Sequence, residues 1–279
     1  MTHSVTLKRA TVLAVTSGKG GVGKTNLAIN VSVALARLGH RVAIVDGDFG
    51  LGNVDVMLGL TPQSHVGHII TGARALEEVL VEGPRGLKVL PAGSGVQPLA
   101  ALTTDQRTRF RVALEQARSA FDFIVIDTAP GIGNNVVELL QLAHYVLLVT
   151  SLDPAALVDA YALAKVLWRT TDRADIGLVV NGVKDGAEGR LAFRQIDRAA
   201  ARFLGRNLRY FGHIPDDPAV RDAMLNQAPL VEHLPQTPAS RGFRLLANRL
   251  ASLSTGPGGV RLLPVAGPAG CDTEVSQCA

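Results

Sequence analysis

Ser17-Gly18-Lys19-Gly20-Gly21-Val22-Gly23-Lys24-Thr25 follows the apolar run Thr11-Val12-Leu13-Ala14-Val15-Thr16 and leads into an amphipathic stretch, Asn26 to Leu38, that Gly39 stops. From Gly18 to Thr25 it satisfies the pattern G-x-x-x-x-G-K-[ST], with a strand leading in and a helix leading out, the context that pattern requires. The chemistry explains the composition. Glycines let successive backbone N–H groups turn inward around phosphate oxygens, and the helix N-terminus adds positive potential. Lys24 is expected to bridge the β- and γ-phosphates of a nucleotide, with the Thr25 hydroxyl on Mg²⁺.

Working outward, strands alternate with helices. Arg41 to Asp46, Leu87 to Leu90, Phe123 to Asp127, Tyr145 to Thr150 and Ile176 to Asn181 read as short aliphatic strands. Asp105 to Ala120, Pro154 to Trp168 and Ser240 to Leu253 read as helices, and Glu188 to Asn226 as an αβα stretch. This order predicts an α/β, three-layer P-loop NTPase fold, a mostly parallel sheet with helices on both faces. One domain over residues 1–254 is expected, with a Gly/Pro/Ala-rich, disordered tail over 255–279. Ligands in such sheets sit outside the carboxyl ends of the strands, where Asp46 and Asp127 fall. Asp127 has the form of a Walker B aspartate. Asp46 either caps the following loop or joins Thr25 and Asp127 around the metal. Asp48 lies two residues further on, in the loop Gly47-Asp48-Phe49-Gly50-Leu51-Gly52, where a carboxylate can position an attacking water.

Composition narrows the classes. Aromatics make up only 4% of 279 residues, so the core must be aliphatic, as a parallel sheet buried on both faces prefers. The net charge of +4 fits acidic partners, nucleic acid or an anionic membrane and selects none of them. No apolar run is long enough to span a membrane, and no secretory h-region opens the chain. Both cysteines, Cys271 and Cys278, fall in the last nine residues. A disulfide framework or iron–sulfur carrier is therefore not expected, and a cytoplasmic setting is.

Lys-Gly-Gly-Val-Gly-Lys-Thr, with its extra lysine, resembles the signature of the MinD/ParA family of deviant-Walker ATPases. The resemblance implies that two ATP-bound subunits sandwich their nucleotides, with Lys19 reaching across to the partner's phosphates and acting beside Lys24 and Asp48 in catalysis. Asp46-Gly47-Asp48 with Gly50-Leu51 is similar to switch I, and Asp127 to Ile132 to switch II, bringing Gly131 to the nucleotide. ATP contacts are implied for Gly18, Lys19, Gly20, Gly21, Val22, Gly23, Lys24, Thr25 and Asn26. Asn181 matches the adenine-reading asparagine, and Pro215 and Asp217 belong to the loop on the other side of the base. Within the family, Gly50 to Leu60, Leu90 to Gly95, Asp159 to Leu163 and Glu188-Gly189-Arg190 are similar to the flagellar-number regulators, the FlhG/FleN branch. The implied function is an ATP- and Mg²⁺-dependent homodimeric switch with slow hydrolysis. Its implied output is control of flagellar number or placement through a flagellar GTPase or a transcriptional activator. A division-site or DNA-partition ATPase is the alternative, with DNA binding not expected as the primary activity. Peripheral attachment at the inner face of the membrane stays open, because no clear targeting helix is visible and Arg261 to Val265 is short and broken by proline.

Arg190, Arg194, Arg198 and Arg202 recur every four residues on one predicted helix, with Arg206 and Arg209 beyond it. The ladder is expected to be a solvated basic face or a docking surface for an acidic partner. His65 and His68 have the spacing of a metal pair but no further ligand, so a surface or cap role is expected. Trp168 reads as a packing residue. A tyrosine-kinase relative is disfavoured by the presence of only three tyrosines. A small-molecule enzyme on the same fold would show turnover that depends on its substrate.

Overall fold

The computed structural model describes residues 9–93, 101–171 and 175–254. The expected tail, both cysteines, Arg261 to Val265 and the Ser94-Gly95 end of the motif Leu90 to Gly95 lie outside these residues.

The chain begins with β1 (Thr11–Thr16), α1 (Lys24–Arg37) and β2 (Val42–Gly47). Three short helices follow, α2 (Val54–Met57), α3 (Val66–Thr71) and α4 (Leu76–Val79), and then β3 (Val81–Glu82) and β4 (Lys88–Leu90). The next elements are α5 (Thr104–Ala120), β5 (Phe123–Thr128), α6 (Asn134–Leu140), β6 (Tyr145–Thr150) and α7 (Pro154–Thr170). Then come β7 (Asp175–Val183), α8 (Gly186–Leu204), β8 (Arg209–Pro215), α9 (Ala219–Leu225), α10 (Leu230–His233) and α11 (Pro238–Ser254). The eight strands lie in the order β3-β4-β2-β5-β1-β6-β7-β8, all neighbours parallel except the β3–β4 edge pair. The expected α/β architecture is the one observed.

Alternation along β1 shows why both faces need helices. Val12 and Ala14 join the buried cluster that includes Phe110, Leu163 and Ile196 of α5, α7 and α8. Leu13 and Val15 join the opposite cluster with Leu27 of α1 and Phe243 and Leu246 of α11. Side chains alternate across a strand, so a strand buried on both sides reads as a continuous aliphatic run. Trp168 packs into the first cluster as expected. α1 begins at Lys24 rather than Asn26, because Gly23, in the left-handed conformation (φ +87°), is its N-cap and turns the loop directly into the helix. Among the described residues no helix is long and apolar enough to cross a membrane.

At the amino ends of the strands, the Val12 N–H donates to His144 Nδ1 at 2.9 Å. Burial, with the Arg118 guanidinium beside it, lowers the His144 pKa to about 4. The unfolded chain takes up this proton first as pH falls. The contribution is therefore complete above an ordinary histidine pKa of about 6.5 and lost as pH falls toward 4. Allowing for solvent screening of a partly exposed ring, it is worth about 2 kcal/mol. Urea midpoints between pH 7.5 and 5 are expected to fall more steeply for the wild type than for His144→Gln. Parallel profiles would show that His144 does not carry this dependence.

Candidate nucleotide site

The loop after β1 passes over the carboxyl ends of β5 and β6, with β2 beyond β5. Two glycines are there because neighbours approach too closely for a side chain. A Cβ on Gly18 would fall 2.3 Å from the Asp159 carbonyl group on α7, and one on Gly23 would fall 2.2 Å from Asn181 Nδ2. The loop therefore sits tightly between α7 and the end of β7.

Three aspartates stand beside it. Asp46 and Asp127 are register partners on β2 and β5, and both are almost fully buried. Lys24 Nζ reaches Asp127 Oδ1 at 2.9 Å and lies 3.4 Å from Thr25 Oγ1. Burial raises the Asp127 pKa, opposed by the Lys24 charge and by hydrogen bonds from Thr25 and Lys24. Asp46 is pushed up to about 7, chiefly by burial and further by the Asp127 and Asp48 charges. The Val54 and Asp48 N–H groups that donate to it act in the opposite direction. Asp46 thus holds the loop after β2 from inside, the capping role, while its carboxylate stays beside that of Asp127. The Asp48 carboxylate accepts from the Leu51 N–H at 3.2 Å, and Asp48 lines the cleft with Lys24 and Thr25.

That cleft has a volume of about 570 Å³ and runs from Ser17 and Gly20 to Asn26, past Asp48 and Pro130, to Asn181 and Gly182. Gly131, at φ +95°, donates its N–H to the Ser17 carbonyl, tying the segment after β5 to the start of the loop. The structure thus brings together Gly20 to Asn26, Asp48 and Asn181 on the cleft wall, with Asp46 and Asp127 beneath. Pro215 and Asp217 are not on that wall. The Asp217 carboxylate accepts from the Ala219 and Ala239 N–H groups at 3.1 and 3.0 Å, capping α9 and α11. The cleft is lined in addition by Met57, Val220, Met224 and Phe243. No sequence signal marks these four, because apolar residues in helical segments read as core. Lys19 stands outside the cleft, its ammonium paired with Asp153, the N-cap of α7, and both side chains are about half exposed. His65 is the N-cap of α3, its Nδ1 accepting from the Gly67 N–H, so the histidine pair is a cap.

A family model described as an AAA domain (AAA_31) matches residues 10–178. The chain is 41% identical to the antiactivator FleN of Pseudomonas aeruginosa over 241 residues, 86% of each protein. The chain belongs to the MinD/ParA family of P-loop ATPases. It is also 32% identical to the flagellum site-determining protein YlxH of Helicobacter pylori, across 88% of this chain and 83% of that one. The cell-division ATPase MinD of Pyrococcus furiosus superposes with a TM-score of 0.70 at 25% identity, covering 88% of this chain and 99% of that one. As a MinD/ParA protein the chain is an ATPase.

The oxygen donors fit magnesium. Thr25, Asp46 and Asp127 supply one hydroxyl and two carboxylates, and no set of three or more acidic, histidine or cysteine side chains is close enough to form a metal cage among the described residues. That sparse set suits Mg²⁺, which keeps several waters and takes its remaining oxygens from phosphate. Bound there, the ion would neutralise phosphate charge.

Proposed function

We propose that this ATPase is a dimerising switch with slow hydrolysis that regulates flagellar number or placement in the cytoplasm. The observation that carries the reading is the separation of the two lysines. Lys24 lies inside the cleft, on Asp127. Lys19 stands at its rim, held by an exposed carboxylate alone. On binding ATP, Lys24 leaves Asp127 for the β- and γ-phosphates, freeing that carboxylate to order Mg²⁺ with Thr25 and Asp46. Lys19 exchanges Asp153 for the phosphates of a second copy, as an arginine finger does in trans. Asp48 orients the attacking water. The closed dimer presents a partner surface, and hydrolysis resets it, with γ-phosphate contacts supplying the difference between states. The relatives' names support a flagellar output, and the name antiactivator favours a transcriptional activator over a flagellar GTPase as partner.

A MinD-like division-site or ParA-like DNA-partition role is the competing reading. Arg190, Arg194, Arg198 and Arg202 are all exposed along α8, which favours an anionic partner. ATP-dependent binding to liposomes or to DNA would decide for it.

The first test is mass in solution with ADP and with ATP–Mg²⁺, using Asp48→Ala to block turnover. ATP is expected to double the mass of Asp48→Ala, and adding Lys19→Ala is expected to abolish the doubling. A monomer with ATP demonstrably bound would remove the switch and favour a small-molecule enzyme on this fold.

A further inference from the structure

Asn181, at the carboxyl end of β7, touches the phosphate loop itself. Its side chain lies 2.8 Å from the Val22 carbonyl oxygen. A carbonyl can only accept, so the group facing it is the NH₂ of Asn181, whichever way the amide might otherwise be turned. We propose that Asn181 is a positioning residue for the phosphate loop, serving the triphosphate as well as the base. This deepens the nucleotide-site reading above and rests on it.

The argument is stereochemical. The Val22–Gly23 peptide is trans, so its C=O and N–H point to opposite sides. Holding the Val22 carbonyl toward β7 turns the Gly23 N–H away from β7, toward the concave side that Gly20 to Thr25 line. That N–H is one of the donors a phosphate loop needs. Gly23 fits twice over, since its φ is +87° and a Cβ would fall 2.2 Å from the Asn181 nitrogen. With glycine at positions 20, 21 and 23 the loop has a large conformational freedom to lose when it closes on phosphate. Among the described residues, no other side chain hydrogen bonds to the Gly20–Gly23 backbone, so Asn181 is the side-chain restraint on that freedom, beside the Leu27 N–H that holds the Gly23 carbonyl. Its Oδ1 has no donor among the described residues and is the atom left for a base. One side chain thus links the two ends of the nucleotide.

The test uses a ligand without a base. Inorganic tripolyphosphate and ATP, each with Mg²⁺, are titrated by calorimetry into the full chain as wild type, Asn181→Ala and Asn181→Asp. The last variant keeps the side-chain volume and exchanges the donor for a charged acceptor. Asn181→Ala is expected to weaken tripolyphosphate about 5–20-fold, the scale of one lost hydrogen bond with its ordering, and ATP by at least as much. Asn181→Asp is expected to weaken tripolyphosphate at least as much, because a carboxylate facing the Val22 carbonyl and the anionic ligand adds repulsion to the lost donor. Unchanged tripolyphosphate affinity in either variant would confine Asn181 to the base and overturn the proposal. If wild-type protein bound neither ligand, the nucleotide-site reading would fall, and the proposal with it.

Discussion

Lys24→Met is expected to abolish measurable ATP binding and also to destabilise the empty protein by about 3–5 kcal/mol at neutral pH, the usual consequence of breaking a buried pair. Lys24 and Asp127 are 9% and 2% exposed at 2.9 Å, and no other cation reaches the Asp127 carboxylate among the described residues. Asp127 already has a raised pKa through burial, and removing Lys24 takes away the largest influence opposing that rise. A folded-state carboxyl pKa above the unfolded value means the native state holds more protons, so stability falls as pH rises through that window. The Lys24→Met deficit should therefore grow between pH 5 and pH 8, because protonation of Asp127 limits it at low pH. Lys24→Met/Asp127→Asn should regain most of the stability and none of the binding. Urea denaturation read with calorimetric ATP titration separates the effects. A Lys24→Met protein as stable as wild type at pH 8 would mean the pair contributes nothing to the empty fold.

The same pair shows what the sequence could and could not convey. The motif from Gly18 to Thr25 and the two strand-end aspartates were legible because each residue type is required by backbone geometry or charge at a fixed place after a strand. The eight-strand sheet followed from aliphatic runs spaced by amphipathic helices, with β3 hidden because two residues carry no period. The short helices α2, α3 and α10 were illegible for the same reason. The partners of the site residues were not legible either. Nothing local to Lys24 says that its ammonium rests on a carboxylate 103 residues away, nor that Lys19 pairs with Asp153. Asp217 is a further case: resemblance implies a place beside the base, and nothing local says that its carboxylate accepts from the Ala219 and Ala239 N–H groups.

Lys19→Ala is expected to reduce ATP turnover by about 10³-fold or more, the effect of removing a cationic finger, while leaving ATP affinity of the single chain within about threefold. The structure makes the two consequences separable. Lys19 lies outside the cleft that holds Lys24, Thr25 and Asn181, so the first nucleotide encounter does not use its ammonium. Its partner, Asp153, is exposed, and exposed ion pairs are weak enough to exchange for a phosphate without a large penalty. The Asp153 carboxylate keeps a second task, accepting the Ala155 N–H at 2.9 Å at the start of α7. Asp153→Asn preserves that cap and removes the countercharge, so it should leave turnover within about threefold of wild type if Lys19 acts only after leaving it. Steady-state turnover across protein concentration adds the decisive dimension. With Lys19 acting in trans, specific activity rises with concentration, and mixing Lys19→Ala with an Asp48→Ala chain gives a defined result. In such a heterodimer the chain that keeps Asp48 lacks Lys19 and receives one from its partner. Its own site is therefore complete, whereas the other site lacks both groups. Recovery of activity on mixing two inactive proteins is the expected outcome. Its absence, with heterodimers shown to form, would return Lys19 to its own subunit.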